Sequence, residues 1–112
     1  MKFHRTESPN GTRIIRALVV EDEIEISDHL KDLLRGAGFV VDCASDGDTG
    51  WYMGDVNIYD AVVLDVGLPD LSGLDVLKRW RARGRAMPVL VLSGCDVWSE
   101  RVDGLDVRHQ EV

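Results

Sequence analysis

The sequence predicts an α/β fold in which a doubly wound parallel sheet is covered by helices on both faces. Four short apolar runs alternate with segments of helical periodicity, and Glu21, Asp65 and Ser93 follow the first, third and fourth of these runs. Buried parallel strands are typically continuous apolar runs, and their alternation with helices indicates right-handed βαβ units. The chain of 112 residues is long enough for one such domain.

The four predicted strands are apolar runs bounded by polar or turn-forming residues. They cover residues 17–20, 39–44, 61–64 and 89–92. Runs this short, which are apolar throughout except at Asp42, suit strands that are buried on both faces of a sheet.

Four helical segments lie between and after these strands. The first contains an apolar stripe over 26–37, has acids in its first turn, and is followed by Gly38. The second, over 46–59, is weakened by three glycines, each of which costs about 1 kcal/mol against alanine in a helix interior. Ser72 can cap a third helix and Asp96 a fourth, which gives the order βαβαβαβα.

Helical spacing also predicts which side chains face the sheet. The stripes are Ile26, Leu30, Leu33, Leu34 and Ala37 in the first helix, Leu74, Leu77 and Trp80 in the third, and Trp98, Val102 and Leu105 in the fourth. The acids around the second helix are predicted to form a solvated face, and they are Asp46, Asp48, Asp55 and Asp60.

The composition argues against several classes of protein. A net charge of −7 and a pI near 4.8 argue against a nucleic-acid-binding surface. No apolar run is long enough for a transmembrane helix, and the N-terminus lacks the apolar core of a signal peptide. Two cysteines, Cys43 and Cys95, are too few for a disulfide framework. We therefore expect a cytoplasmic protein with no membrane segment and no direct nucleic-acid binding.

The residues that follow the strands are the candidates for a functional site, because open parallel sheets bind ligands beyond the carboxyl ends of their strands. Glu21 and Asp22 follow the first strand, Asp65 follows the third, and Ser93 follows the fourth. The first and third strands are expected to be neighbours, which would bring three carboxylates together. Their repulsion favours a bound divalent cation, and oxygen ligands favour Mg²⁺. The alternative is that these acids are solvated strand caps.

Four segments carry a resemblance to a known family: LVVEDE at 18–23, VLDVGLP at 63–69, GL at 73–74 and PVLVLSG at 88–94. Together they resemble the receiver domain of two-component response regulators. RVDGLD at 101–106 is similar to the fourth-helix segment of the OmpR/PhoB-like subgroup. The resemblance implies a flavodoxin-like fold and an incomplete receiver domain at 16–112. The polar composition of residues 1–15 predicts a flexible leader before it. A basic interaction arm is the alternative interpretation of the leader.

The resemblance also implies a role for each residue at the strand ends. It makes Asp65 the phosphoacceptor, which takes a phosphoryl group from a sensor histidine kinase or a phosphotransfer protein. Asp22 is implied as a direct Mg²⁺ ligand, Glu21 as a ligand through water, and the carbonyl of Gly67 as a further ligand beside Asp65. Ser93 is implied as the switch hydroxyl that bonds a phosphoryl oxygen. Such a module catalyses only its own phosphorylation and is not an enzyme acting on a separate substrate.

The resemblance is incomplete at its C-terminal end. In the family a fifth strand, with a lysine and an aromatic switch residue, and a fifth helix follow the segment that ends here at Asp106, whereas this sequence ends at Val112. Lys2, Lys31 and Lys78 all lie away from strand ends. We therefore expect a fold that lacks the fifth strand and helix. Its fourth strand would be an exposed apolar edge that favours self-association.

Two other functions remain open from the sequence. A truncated receiver that no longer signals would act only as a binding or decoy module for a kinase. A phosphatase with an aspartate nucleophile would need an acid two residues after that nucleophile, and Gly67 stands there instead.

From the sequence we predict that the isolated chain is a marginally stable monomer, self-associates, or is completed by another polypeptide. The reason is that a sheet without the fifth strand and helix leaves apolar surface in water. Size-exclusion chromatography with thermal unfolding measures this directly. A monodisperse monomer that melts cooperatively would contradict the prediction.

Overall fold

The computed structural model describes residues 13–93, 96–100 and 107–111, with the backbone alone at 93, 96–100 and 107–111. One sheet contains all the strands, in the order β2-β1-β3-β4-β5-β6. The strands are β1 Ile15–Val20, β2 Phe39–Ala44, β3 Ala61–Asp65, β4 Val89–Ser93, β5 Asp96–Glu100 and β6 Val107–Glu111. The helices are α1 Ile24–Gly36, α2 Gly47–Val56 and α3 Gly73–Ala82. In this described part of the chain, no helix has both the length and the apolar character needed to cross a membrane.

The first four strands run parallel and confirm the predicted fold class. β1 lies between β2 and β3, with Val19 opposite Cys43 of β2 on one side and opposite Val63 of β3 on the other. β4 pairs with the free side of β3. The N-terminal leader predicted for 1–15 lies mostly outside the described residues, and its boundary with the domain stays a prediction.

The predicted fourth helix and the predicted exposed edge at β4 are both wrong in the described residues. Asp96 begins a strand rather than capping a helix, because β5 runs antiparallel to β4 and places Asp96 opposite Ser93. Without β5, the backbone N–H and C=O groups on the side of β4 that faces away from β3 would have no strand partner. β5 supplies those partners. β6 pairs antiparallel with β5 and forms the edge on this side, so self-association through a β4 edge is not available. The segment 101–106 lies outside the described residues.

The larger part of the core lies between the sheet and the helices α2 and α3. Trp80 of α3 is fully buried, and its indole N–H donates to the backbone oxygen of Trp51 in α2 at 2.9 Å. Two α2 glycines allow this close packing, because a Cβ at Gly54 would lie 2.4 Å from the Trp80 ring and one at Gly50 would lie 2.6 Å from Val20. The glycines that weaken α2 by propensity are therefore the residues that let it approach the core.

A smaller core lies on the opposite face, under α1. Leu30 and Leu34 pack there on strand residues, whereas Ile26 and Leu33, predicted to face the sheet, are 41% and 58% exposed. On the same face Leu90 of β4 is 38% exposed, so the sheet beside α1 is only partly covered. In α3 the predicted stripe is wrong at Leu74, which is exposed, while Val76, Leu77 and Trp80 are buried.

Of the four acids around α2 predicted to form a solvated face, only Asp48 is exposed. Asp55 is buried and accepts a hydrogen bond from Arg83 at 2.6 Å, which holds the pKa of its carboxyl below the ordinary value of 3.8. Asp60 accepts from the backbone N–H of Arg16 at 2.8 Å, and Asp46 caps α2. The carboxylates of Asp46, Asp55 and Asp60 each accept a hydrogen bond from a specific donor. The spacing of residues in the sequence does not reveal these partners.

We predict that Gly54→Ala lowers the free energy of unfolding by about 1–3 kcal/mol, because its methyl group would overlap the ring of the fully buried Trp80. Urea unfolding followed by circular dichroism measures the change. Gly36→Ala is the matched control, since Gly36 is also helical and a Cβ there meets nothing within 4 Å. That variant should be neutral or stabilised by up to about 1 kcal/mol. Similar effects of the two substitutions would contradict the packing described here.

Candidate functional site

The carboxyl ends of β1 and β3 place three carboxylates at one edge of the sheet. The two strands are parallel neighbours, with Val20 opposite Leu64, so the residues that follow them emerge side by side. One carboxylate oxygen from each of Glu21, Asp22 and Asp65 lies within 4.8 Å of the other two. The structure thus brings together the three acids that the sequence singled out. Their functional roles stay predictions.

The three acids differ in their surroundings. Glu21 is 5% exposed, Asp65 is half-buried and Asp22 is exposed. The backbone N–H of Glu21 donates to the oxygen of Ala44 at 3.0 Å, which ties the end of β1 to the end of β2. The Glu21 carboxylate accepts from the N–H of Glu23 at 3.1 Å. The most buried acid of the cluster is therefore held through both its backbone and its side chain.

The electrostatic environment of this cluster is unfavourable for three negative charges. Burial is the largest influence on Glu21 and raises the pKa of its carboxyl above 4.5, and the charge of the neighbouring Asp65 raises it further. The hydrogen bond from Glu23 opposes this pKa shift but does not cancel it. A positive charge among these oxygens would relieve the repulsion.

The donor set fits a hard divalent cation. All three groups offer oxygen, which Mg²⁺ and Ca²⁺ prefer, and neither nitrogen nor sulfur is among them. Oxygens on opposite sides of a Mg²⁺ ion lie about 4.2 Å apart, given Mg–O distances of about 2.1 Å. The observed spacing within 4.8 Å is close to that requirement. Glu21, Asp22 and Asp65 could therefore hold Mg²⁺ with small side-chain adjustments.

Two further residues predicted for this site lie beside it. Gly67 lies two residues after the end of β3, and a Cβ there would lie 3.8 Å from Oδ2 of Asp65. Ser93 ends β4, one residue after Leu92, which is the β-sheet partner of Asp65. The side chain of Ser93 lies outside the described part of the structure, so its proposed contact stays a prediction.

The loop between β3 and α3 is closed tightly behind Asp65. The N–H of Gly73 donates to the oxygen of Val66 at 3.1 Å, and a Cβ at Gly73 would lie 2.2 Å from the backbone oxygen of Asp65. Only glycine fits at that position. The hydroxyl of Ser72 accepts from the N–H of Leu74 at 3.2 Å, as the predicted cap of α3. Together these contacts fix where the loop leaves the strand and where the helix begins.

Sequence reasoning missed the role of Asp70 in this loop. Its carboxylate accepts from the backbone N–H groups of Gly47 at 2.7 Å and Asp48 at 2.9 Å, at the start of α2. These bonds hold the pKa of Asp70 below 3.8. Loop residues show no periodicity, and the only signal in the sequence is an acid directly after Pro69.

Comparison with known proteins adds family evidence to this geometry. A family model described as response regulator receiver domain matches residues 17–112. The chain is 41% identical over 93 residues to the probable transcriptional regulatory protein SilR of Salmonella typhimurium. That match covers 83% of this chain and 41% of SilR, so the chain spans about two fifths of the length of that relative.

Solved structures show the same similarity. One match is a chain in the crystal structure of the histidine kinase ThkA in complex with the response regulator TrrA. It has a TM-score of 0.67 and 32% identity, and the match covers 73% of the present chain and 71% of the matched chain. TrrA from Thermotoga maritima in complex with Mg²⁺-BeF matches with a TM-score of 0.65 and 33% identity, covering 68% of this chain and 66% of that chain.

We predict that Asp65→Asn raises the thermal midpoint of the metal-free protein by about 3 °C, because it removes one of three repelling charges. Mg²⁺ at ten times its dissociation constant should stabilise the original protein by about 1.4 kcal/mol and should stabilise this variant far less. Thermal unfolding with and without Mg²⁺ measures both effects.

Asp75→Asn is the control for the Asp65 variant, because Asp75 is an exposed acid in the first turn of α3 and its replacement removes the same charge. It should leave the stabilisation by Mg²⁺ unchanged. Equal Mg²⁺ responses in both variants would show that the acidic cluster does not hold the ion.

Proposed function

The chain belongs to the response regulator receiver domain family, and from this premise we propose that it accepts a phosphoryl group on Asp65 with Mg²⁺ as its cofactor. Receiver domains are signalling modules of response regulators and not typical enzymes. The observation that carries the proposal is the convergence of Glu21, Asp22 and Asp65 at the carboxyl ends of β1 and β3. A chain that only shared the fold would have no need for three repelling acids at this edge.

Asp65 is the member of the cluster that best suits a nucleophile. Glu21 is too deeply buried to meet a group carried by another protein, whereas Asp65 is half-buried and is followed at Gly67 by a residue with no side chain. A carboxylate oxygen of Asp65 attacks the phosphorus of a phosphohistidine. An O–P bond forms, the P–N bond breaks, and the imidazole nitrogen keeps the bonding electron pair. The product is an acyl phosphate on Asp65.

The remaining acids serve the charge of the transferred group. Asp22 and Asp65 would bind Mg²⁺ directly together with the carbonyl of Gly67, and Glu21 would assist through water. Bound Mg²⁺ supplies positive charge that offsets the negative charge of the phosphoryl oxygens. The hydroxyl of Ser93, at the end of the strand paired with β3, would bond one of those oxygens and so report phosphorylation to the segment that follows β4.

The proposed donor is a sensor histidine kinase or a phosphotransfer protein. The similar response regulator TrrA has been solved in complex with the histidine kinase ThkA, which supports this class of partner. We also propose a cytoplasmic location, where such kinases present their phosphohistidine. A net charge of −7 supports the absence of direct nucleic-acid binding by this part of the chain.

The test of this function is phosphorylation followed by intact-mass spectrometry. Incubation with acetyl phosphate and Mg²⁺, or with a phosphorylated kinase, should add one phosphoryl group to the original protein. Asp65→Asn should gain none, Asp22→Asn should gain it much more slowly, and chelation of Mg²⁺ should have the same effect as Asp22→Asn. Asp75→Asn should behave like the original protein.

Failure of the Asp65-dependent mass gain would overturn the proposal. If the protein then still bound Mg²⁺ and a histidine kinase, the result would favour the binding or decoy module instead. The same samples distinguish a phosphoacceptor from a binding or decoy module, because kinase binding can be measured by co-elution before phosphorylation is assayed.

A further inference from the structure

We infer that Asp70 is a positioning residue for the acidic site: its carboxylate fastens the loop between β3 and α3 to the N-terminus of α2 and thereby holds Gly67 beside Asp65. The inference rests on the proposed function, because the group that Asp70 would position is a ligand of the proposed Mg²⁺ site. Asp70 itself touches neither the cation nor the phosphoryl group in this account.

The first supporting observation is the geometry of the Asp70 carboxylate. Oδ1 accepts from the N–H of Gly47 at 2.7 Å, and Oδ2 accepts from the N–H of Asp48 at 2.9 Å. Each oxygen therefore has its own backbone donor, and hydrogen bonds to an ionised acceptor are among the stronger ones in proteins. An exposed loop residue is in this way held in one orientation.

The second observation is that α2 depends on this residue for its start. The first N–H groups of a helix have no partner within the helix. Asp46 serves the N–H of Thr49 at 2.7 Å, but those of Gly47 and Asp48 are served by Asp70, which lies more than twenty residues further along the chain. The negative charge also suits the positive end of the helix dipole. The loop and the helix therefore stabilise each other.

The third observation is how closely the loop approaches α2. A Cβ at Gly47 would lie 2.8 Å from Cβ of Leu71 and 3.1 Å from Oδ1 of Asp70. The first residue of α2 must therefore lack a side chain for the loop to lie where it does. This contact limits the loop independently of the hydrogen bonds.

The path of the chain connects Asp70 to the acidic site. The hydrogen bond from Gly73 to Val66 closes the loop at its base, and Asp70 attaches the loop to the N-terminus of α2. Gly67 lies between the two, and it has more conformational freedom than any other residue type. Without Asp70, the loop would sample conformations in which Gly67 is displaced from Asp65. Fewer molecules would then have the ligand set ready for a cation, which lowers apparent affinity.

The experiment measures Mg²⁺ affinity by isothermal titration calorimetry at pH 7 in the full chain and its variants. Asp70→Ala should weaken Mg²⁺ binding about tenfold, the low end for residues that support a metal site indirectly. Asp70→Asn should recover part of this loss, because its amide oxygen can accept one of the two bonds. Asp75→Asn, which removes one charge from the neighbouring helix, should change the affinity less than about twofold.

A second measurement separates positioning from a purely structural cap. Binding linkage is reciprocal, so Mg²⁺ must strengthen the attachment of Asp70 to α2 by the same factor by which that attachment strengthens Mg²⁺ binding. Saturating Mg²⁺ should therefore slow hydrogen exchange at the amides of Gly47 and Asp48 in the original protein. The amide of Thr49, whose partner is Asp46, should respond less. Mg²⁺ also stabilises the whole fold, so a cap that serves only stability would show the same slowing at Gly47 and Asp48 as at Thr49.

The outcomes distinguish this inference from the proposed function. If the original protein binds Mg²⁺ and is phosphorylated, but Asp70→Ala binds Mg²⁺ equally well, the positioning role is overturned and the function stands. If the original protein binds no Mg²⁺, both are overturned. Should Asp70→Ala fail to fold, Asp70→Asn and the hydrogen exchange of the original protein decide the question, and unchanged values in both would reject the inference.

Discussion

Repulsion between carboxylates at the ends of β1 and β3 is the constraint on which the rest of the site depends. Parallel pairing of these strands places the carboxylates of Glu21 and Asp65 close together. Burial of Glu21 keeps water from screening its charge. A cation bound at this edge of the sheet would reduce the repulsion between the carboxylates. In the proposed function, such a cation also offsets the negative charge of the transferred phosphoryl group.

The helix α2 connects this site to the core. On one side, Gly54 lets α2 pack closely against Trp80, and the indole N–H of Trp80 donates a hydrogen bond to the backbone of α2. At its N-terminus it receives the carboxylate of Asp70 from the loop beside Asp65. The residues that give α2 a poor helix propensity thus give it two close contacts. A change in the loop would therefore act on an element that is anchored in the core.

Much of this arrangement could be predicted from the sequence, because it follows from strong local patterns. Continuous apolar runs identified the parallel strands, and their order placed Glu21, Asp22 and Asp65 at one edge. The rest depends on contacts between distant residues. Asp70 and Asp55 find their donors across more than twenty positions, and β5 forms because β4 offers an unpaired edge, which outweighs the helical spacing that begins at Asp96.

A high-resolution structure of the protein with Mg²⁺ and beryllium fluoride tests the central claim most directly. We expect one cation bound by oxygens of Asp22 and Asp65, at the distance of about 2.1 Å that Mg²⁺ demands, with the beryllium fluoride group attached to the Asp65 carboxylate. A cation bound elsewhere, or a beryllium fluoride group on a different residue, would contradict it.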